Sequence, residues 1–284
     1  MIGSEPNVLV ASMGGVGSTV LMEFFAADPS VVVNEPHGLI NPLKHAVCPP
    51  TNMPSVRRAL FLFGCPYDSL VSLFRRGYAA AHFANVSGRR SDGLCWPSDP
   101  WQETCRRFGL RQIGDSNKWV DEDGRHASHI GALEWFRQHK ARVDAARSRT
   151  TACIEREAGE VFRDFDDYLE QGVDHFCRIE QFQRWTTDPA PYPILLVRYE
   201  TLWEHLPEVF SFMGVPVERT SAFPGRRPRS SDHQALPQRQ RALLVRMYGE
   251  LKRDIDAHDD ALVRQEAGSP QETGRQHSGP RSAG

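Results

Sequence analysis

Between Val8 and Leu21 the chain reads Val-Leu-Val-Ala-Ser-Met-Gly-Gly-Val-Gly-Ser-Thr-Val-Leu. An apolar run leads into Gly14, Gly15, Val16 and Gly17, and Ser18 and Thr19 then open a helical pattern. Glycines admit positive-φ backbone that turns successive N–H groups toward one point, and a helix N-terminus adds unpaired donors and partial positive charge. Gly14, Gly15, Val16, Gly17, Ser18 and Thr19 therefore form a candidate anion cradle. Two common loops of this kind do not fit. A Walker loop carries Lys where Ser18 stands, and a dinucleotide fingerprint calls for a third small residue, which does not follow Gly15 and Gly17 at the required spacing. A tight strand-to-helix turn that holds nothing is the competing reading.

Further polar groups follow at the ends of other apolar runs. Val31-Val32-Val33 gives way to Asn34-Glu35-Pro36-His37, with two titratable groups where open α/β sheets put their ligands. Ala59–Phe63 gives way to Gly64-Cys65-Pro66-Tyr67-Asp68, and Asp68 is a good N-cap for a helix that carries Ser72, Arg75 and Arg76. Pro193–Glu200 ends in Arg198-Tyr199-Glu200, and a basic run, Gly225-Arg226-Arg227-Pro228-Arg229, comes later. Lys44, His45, Arg57 and Arg58 lie in an irregular Pro-rich stretch over 41–57.

The elements needed to position these groups are legible. The apolar runs near 8–12, 31–33, 59–63 and 193–198 are short and continuous, as strands covered on both faces require. Helical spacing predicts segments over Ser18–Ala27, after Asp68, over Phe162–Trp185, after Pro207 until Gly214, and from Leu236 to Ile255. Strands alternating with helices predict an α/β fold, a parallel sheet of about four to five strands with helices on both faces. The expected organisation is one domain over 1–265, with a divergent insertion or lid at about 86–150. The Gly/Ser/Pro/Gln-rich residues 266–284 read as a disordered tail.

Composition narrows the function. With 284 residues, 40% hydrophobic and 25% charged, the chain has the makings of a folded core. A net charge of −2 gives no general attraction to nucleic acid or to a membrane surface. No apolar run approaches the roughly 18–20 residues of a membrane span, and no secretory leader pattern precedes the first strand, so a cytoplasmic protein is expected. Cys48, Cys65, Cys95, Cys105, Cys153 and Cys177 show no CxxC spacing, so neither zinc nor disulfides are expected. Oligomeric state leaves no mark in the sequence.

Taken together, these segments resemble the sulfotransferases that use 3′-phosphoadenosine-5′-phosphosulfate (PAPS). Gly17-Ser18-Thr19-Val20-Leu21 is similar to their 5′-phosphosulfate loop, and Val31–Pro36 to the strand and Glu-Pro element of the carbohydrate sulfotransferases. Phe61–Leu73 resembles their 3′-phosphate motif, and Leu196-Val197-Arg198-Tyr199-Glu200-Thr201-Leu202 their later Arg/Lys-Tyr-Glu-Asp-Leu element. The likeness spans roughly 8–260 with a divergent middle. It implies a P-loop-like sulfotransferase architecture, PAPS as donor with PAP as product, no metal, and a small-molecule or carbohydrate acceptor. It further implies that Ser72 contacts the 3′-phosphate, that Glu35 is the general base and that His37 is its alternate.

Two positions depart from the family. A basic residue of its phosphosulfate loop is Gly15 here, and the Arg of its 3′-phosphate motif is Gly64. Lys44, Arg75, Arg76, Arg226 and Arg227 are the cations available to replace them, with the Arg226–Arg227 pair the expected 3′-phosphate clamp. Two other functions stay open: a kinase-like phosphotransferase on a related loop, and a nucleotide-binding protein without catalysis.

Overall fold

The computed structural model describes residues 6–28, 30–34, 43–86, 109–112, 119–125, 127, 131, 134, 151–226 and 231–264. Glu35, His37, Arg227, the proposed tail and most of the proposed insertion lie outside these residues. In chain order the elements are β1 (Val8–Ser12), α1 (Ser18–Ala26), β2 (Arg58–Phe63), α2 (Pro66–Arg75) and α3 (Ala79–Val86). A small antiparallel pair, β3 (Arg111–Gln112) and β4 (Trp119–Val120), precedes a helical stretch over 151–159. Then come α4 (Phe165–Gln171), α5 (Arg178–Thr187), β5 (Ile194–Arg198), α6 (Leu206–Met213), α7 (Gln238–Ala257) and β6 (Ala261–Arg264).

The main sheet has the order β1-β2-β5-β6. β1, β2 and β5 run parallel, and their alternate residues face two separate cores. Leu9, Ala11, Phe61, Phe63 and Leu196 pack against α2, α4, α5 and α7. Val8, Val10, Leu60, Leu62 and Val197 pack against α1 and α6. Each fully buried Leu or Phe contributes about 1.5–3 kcal/mol relative to exposure. Covered faces are thus the reason these strands read as unbroken apolar runs.

The sheet differs from the sequence expectation at both edges. β6 is antiparallel to β5, so the sheet is mostly rather than wholly parallel. It is held there by Arg198, which ion-pairs Asp260 at 2.9 Å and donates to the carbonyl of His258 at 2.7 Å. At the other edge Val31–Val33 forms no full strand, only a parallel bridge from Val33 to Val8. The side chain of Asn34 takes over the pairing: its Oδ1 accepts from Val10 N at 2.7 Å and its Nδ2 donates to Val10 O at 3.0 Å. The helical reading of Phe162–Trp185 also divides in two, because Gly172 at positive φ ends α4 and Asp174 to Cys177 turn the chain before α5.

With Val33 counted, the chain goes from β1 to one neighbour and then back past β1 to β2 on the other side. Strand order therefore reverses between β1 and β2, whose carboxyl ends point the same way. Open α/β sheets bind their ligands in the crevice at such a switch point.

Asn34→Ala leaves both the N–H and the C=O of Val10 without partners in a buried site. Each orphaned group costs about 1–3 kcal/mol, so urea denaturation is expected to show a loss of at least about 2 kcal/mol. A loss below about 0.5 kcal/mol would mean that Asn34 does not secure this edge.

Candidate functional site

The glycine loop fills one side of the switch point. Ser12 at the end of β1 and Ser18 at the start of α1 share a hydrogen bond of 2.9 Å between their hydroxyls, closing residues 13–17 into a loop. Gly14, Gly15 and Gly17 have φ of 76°, 67° and 73°. Neighbours come too close for any side chain. A Cβ on Gly15 would stand 2.4 Å from the carbonyl oxygen of Ser69, one on Gly14 2.5 Å from the His82 imidazole, and one on Gly17 2.5 Å from the Tyr199 ring. Gly17 is also the N-cap of α1 and supplies no side-chain acceptor, so the first N–H groups of that helix keep their capacity for an outside acceptor.

Lys44 brings a cation to this loop. Its backbone carbonyl accepts from Ser12 N at 2.7 Å, and its Nζ donates to Thr19 Oγ1 at 2.7 Å in the first turn of α1. Burial pulls the Lys44 ammonium down to about 8; the charge of Arg76 adds to the drop and Glu23 opposes it. The segment is fastened from below by α5. Gln181 Nε2 donates to Ser12 O at 3.2 Å and Ala46 O at 2.9 Å, and Trp185 Nε1 donates to Ala46 O at 2.7 Å.

Across the switch point, β2 ends at Gly64. Glu200 Oε1 accepts from Cys65 N at 3.0 Å, and a Cβ on Gly64 would lie 2.9 Å from the other carboxylate oxygen. The place where the resemblance expects an arginine is thus closed by a carboxylate. Helix α2 begins at Pro66 with Cys65 as its N-cap, so Asp68 is not the cap that its position suggested. Asp68 sits in the first turn, and its Oδ1 accepts from His233 N at 2.9 Å and pairs with His233 Nδ1 at 2.7 Å. Ser72 is buried one turn further along, and Arg76 lies over the Tyr78 ring at 4.7 Å.

Residues before and after the basic run are tied to different elements. Trp203 Nε1 donates to Pro224 O at 2.9 Å, and Trp203 packs edge-on to Tyr199, which covers Gly17. Beyond the run, His233 is tied to Asp68. Arg226 is exposed within this span. Its partner Arg227 and the two acid–base candidates, Glu35 and His37, lie outside the described residues.

Sequence reasoning missed a buried layer behind the loop. His45 Nδ1 donates to Ser12 O at 3.3 Å, its ring meets that of His82 edge-on at 4.7 Å, and the Arg178 guanidinium donates to Ser69 Oγ. Burial holds both imidazoles well below the usual histidine range, reinforced at His45 by Lys44 and Arg178 and at His82 by His45 and Arg178. Only the neighbour relation of His45 to Lys44 gave any signal; nothing in the local pattern over Phe162–Trp185 singles out Arg178.

Cys65, Asp68 and His233 also gather, with their donor atoms within 4.8 Å of one another. These are zinc-type donors in a chain whose cysteine spacing gave no hint of them. Yet Asp68 and His233 touch at 2.7 Å, closer than the roughly 3.3 Å edge of a tetrahedron with ~2.0 Å bonds. Burial pushes the Cys65 thiol up to about 11, so it is no ready nucleophile.

No family model matches the chain, and neither does any curated protein or solved structure. No helix among the described residues is long and apolar enough to cross a membrane.

Lys44 gives the cradle a pH signature. Sulfate, which does not titrate near neutrality, is expected to bind with constant affinity from about pH 6 to 8. Above that, free Lys44 loses its proton while a bound anion retains it, so affinity falls by about tenfold per pH unit. Lys44→Met should weaken sulfate binding and flatten the profile. A wild-type affinity that stays level to about pH 10 in a calorimetric titration would remove Lys44 from the site.

Proposed function

We propose that the chain is a PAPS-dependent sulfotransferase of P-loop-like architecture, passing a sulfuryl group to a hydroxyl or amine on a small molecule or carbohydrate. The observation that carries this reading is the bond from Lys44 Nζ to Thr19 Oγ1, directly beyond a glycine loop at the sheet's switch point. It supports a site where backbone N–H groups and one cation face the same anion.

In this reading the acceptor atom attacks sulfur in line with the bridging oxygen. The bond from sulfur to that oxygen breaks, its electron pair leaves with the 5′-phosphate of PAP, and the acceptor's proton passes to a base. Most of the rate comes from positioning and from stabilising the leaving phosphate, as in phosphoryl transfer. The loop N–H groups and Lys44 do the second task. Ser72 takes the 3′-phosphate, with Arg76, Arg226 and Arg227 as the cations around it.

Glu35 is the first choice of base and His37 the second. Support for Glu35 is its place in the sequence directly after Asn34, whose side chain is bonded to Val10 of β1. The kinase alternative lacks the lysines of a phosphate-gripping loop at Met13 and Ser18.

Titration with PAP, ADP and Mg-ATP tests the nucleotide. PAP is expected to bind at least tenfold more tightly than the other two, with no metal added. Equal affinities, or an absolute need for Mg²⁺, overturn the proposal. Turnover of labelled PAPS against hydroxyl and amine acceptors then separates an enzyme from a binder. Glu35→Gln should cut that turnover by ~10²–10⁴ while leaving PAP affinity nearly unchanged.

A further inference from the structure

Arg178 is the most unusual charge among the described residues. It opens α5, is 0% exposed, and only one of its nitrogens has a partner, the hydroxyl of Ser69. Its Nε and Nη2 have none. The nearest acid before it in the chain, Asp174, spends its oxygens elsewhere: Oδ1 accepts from the Tyr248 hydroxyl at 2.7 Å and Oδ2 from Ile179 N at 2.9 Å. Arg178 thus has no direct ion pair among the described residues, and a buried guanidinium is costly unless its remaining donors and charge are offset.

Its surroundings say where that counter-charge arrives. Ser69, which Arg178 holds by its hydroxyl, presents its carbonyl to the space where a side chain on Gly15 would begin. The Arg178 guanidinium lies 5.8 Å from the Phe176 ring, and the same ring meets, edge-on at 5.1 Å, the imidazole of His82, which in turn packs on Gly14. Both ring nitrogens of His82 and Oε1 of Gln181 are also without partners. Arg178 and His82 thus meet at Phe176 behind Gly14 and Gly15, while Gln181, on the same helix as Arg178, holds the Ser12 carbonyl.

We infer that Arg178 supplies, from behind the loop, the positive charge that a basic side chain at position 15 would have supplied from within it. The bound oxyanion is its counter-charge. This rests on the anion-cradle reading of the loop and deepens it. Position 15 itself is closed to a cation, because the Ser69 carbonyl occupies the path of any side chain there. Through a water-poor layer a charge retains its influence over several ångströms, so Arg178 does not need to touch the ligand. The two imidazoles in the layer stay neutral, which leaves Arg178 and Lys44 as the buried cations around the loop among the described residues.

The test pairs two substitutions with two probes. Arg178→Gln can keep a hydrogen bond to Ser69 and loses the charge, whereas Arg178→Lys keeps the charge and loses the planar fork. With inorganic sulfate and with PAP, the Gln variant is expected to bind at least tenfold more weakly, and the Lys variant to stay within about threefold of wild type. Without anion the Gln variant should melt no lower than wild type, because an uncompensated charge has been removed.

Wild-type affinity in the Gln variant overturns the inference, and so does an equal loss in both variants, which would assign Arg178 to the geometry of α2 alone. If wild type binds sulfate yet does not favour PAP over ADP, the sulfotransferase reading fails while the sulfate arm still decides the role of Arg178.

Discussion

Between Ser12 and Ser18 there is no room for three side chains, and the rest of the site follows from that exclusion. The space beside Gly14 belongs to α3 through His82, that beside Gly15 to α2 through the Ser69 carbonyl, and that beside Gly17 to the turn after β5 through Tyr199. The loop is where the sheet and both of its helical layers meet. A glycine is the residue that combines positive φ with such close approach. The loop can then offer only backbone N–H groups, and any charge for a ligand has to come from another segment.

Packing decides which segments those are. Trp185 and Gln181 on α5 hold Ala46, which sets Lys44 beside β1 and lets its side chain reach Thr19. The same helix carries Arg178 at its first position. Its base is fixed by a buried chain of hydroxyls, Tyr168 to Tyr248 at 2.7 Å and Tyr248 to Asp174 at 2.7 Å, joining α4, α7 and the turn before α5. The core on that face therefore does more than bury apolar area. It locates two cations beside the loop, and in Arg178 it holds a buried charge whose Nε and Nη2 have no hydrogen-bond partner.

Much of this frame was legible, and Lys44 stood among the candidate cations, but where each charge would sit was not. β1, β2 and β5 announce themselves as unbroken apolar runs because both faces are covered, and α1, α6 and α7 show helical spacing with Gly or Pro at their ends. β6 escaped because its pattern is buried on neither side, with Leu262 and Val263 exposed. Val31–Val33 looked like a full strand, yet Asn34 supplies by side chain what a longer strand would supply by backbone. Asp68 fitted the capping rule, but Pro66 begins the helix one position after Cys65, and its carboxylate turns to His233. Lys44 stood in an irregular stretch where periodicity has no purchase. Arg178 was hidden more thoroughly: nothing in the local pattern over Phe162–Trp185 singles it out, and only long-range packing encloses it.

In the proposed site the backbone of this loop grips an anion. Amide resonances of Gly14 to Thr19, followed by ¹⁵N-edited NMR as PAP is added without metal, report on that grip. These amides are expected to shift together, with Lys44 and Ser72 among the next most affected, and to slow in hydrogen exchange. Shifts confined to other elements, with the loop amides unmoved at saturating PAP, would contradict the proposal and leave the glycines as a packing device alone.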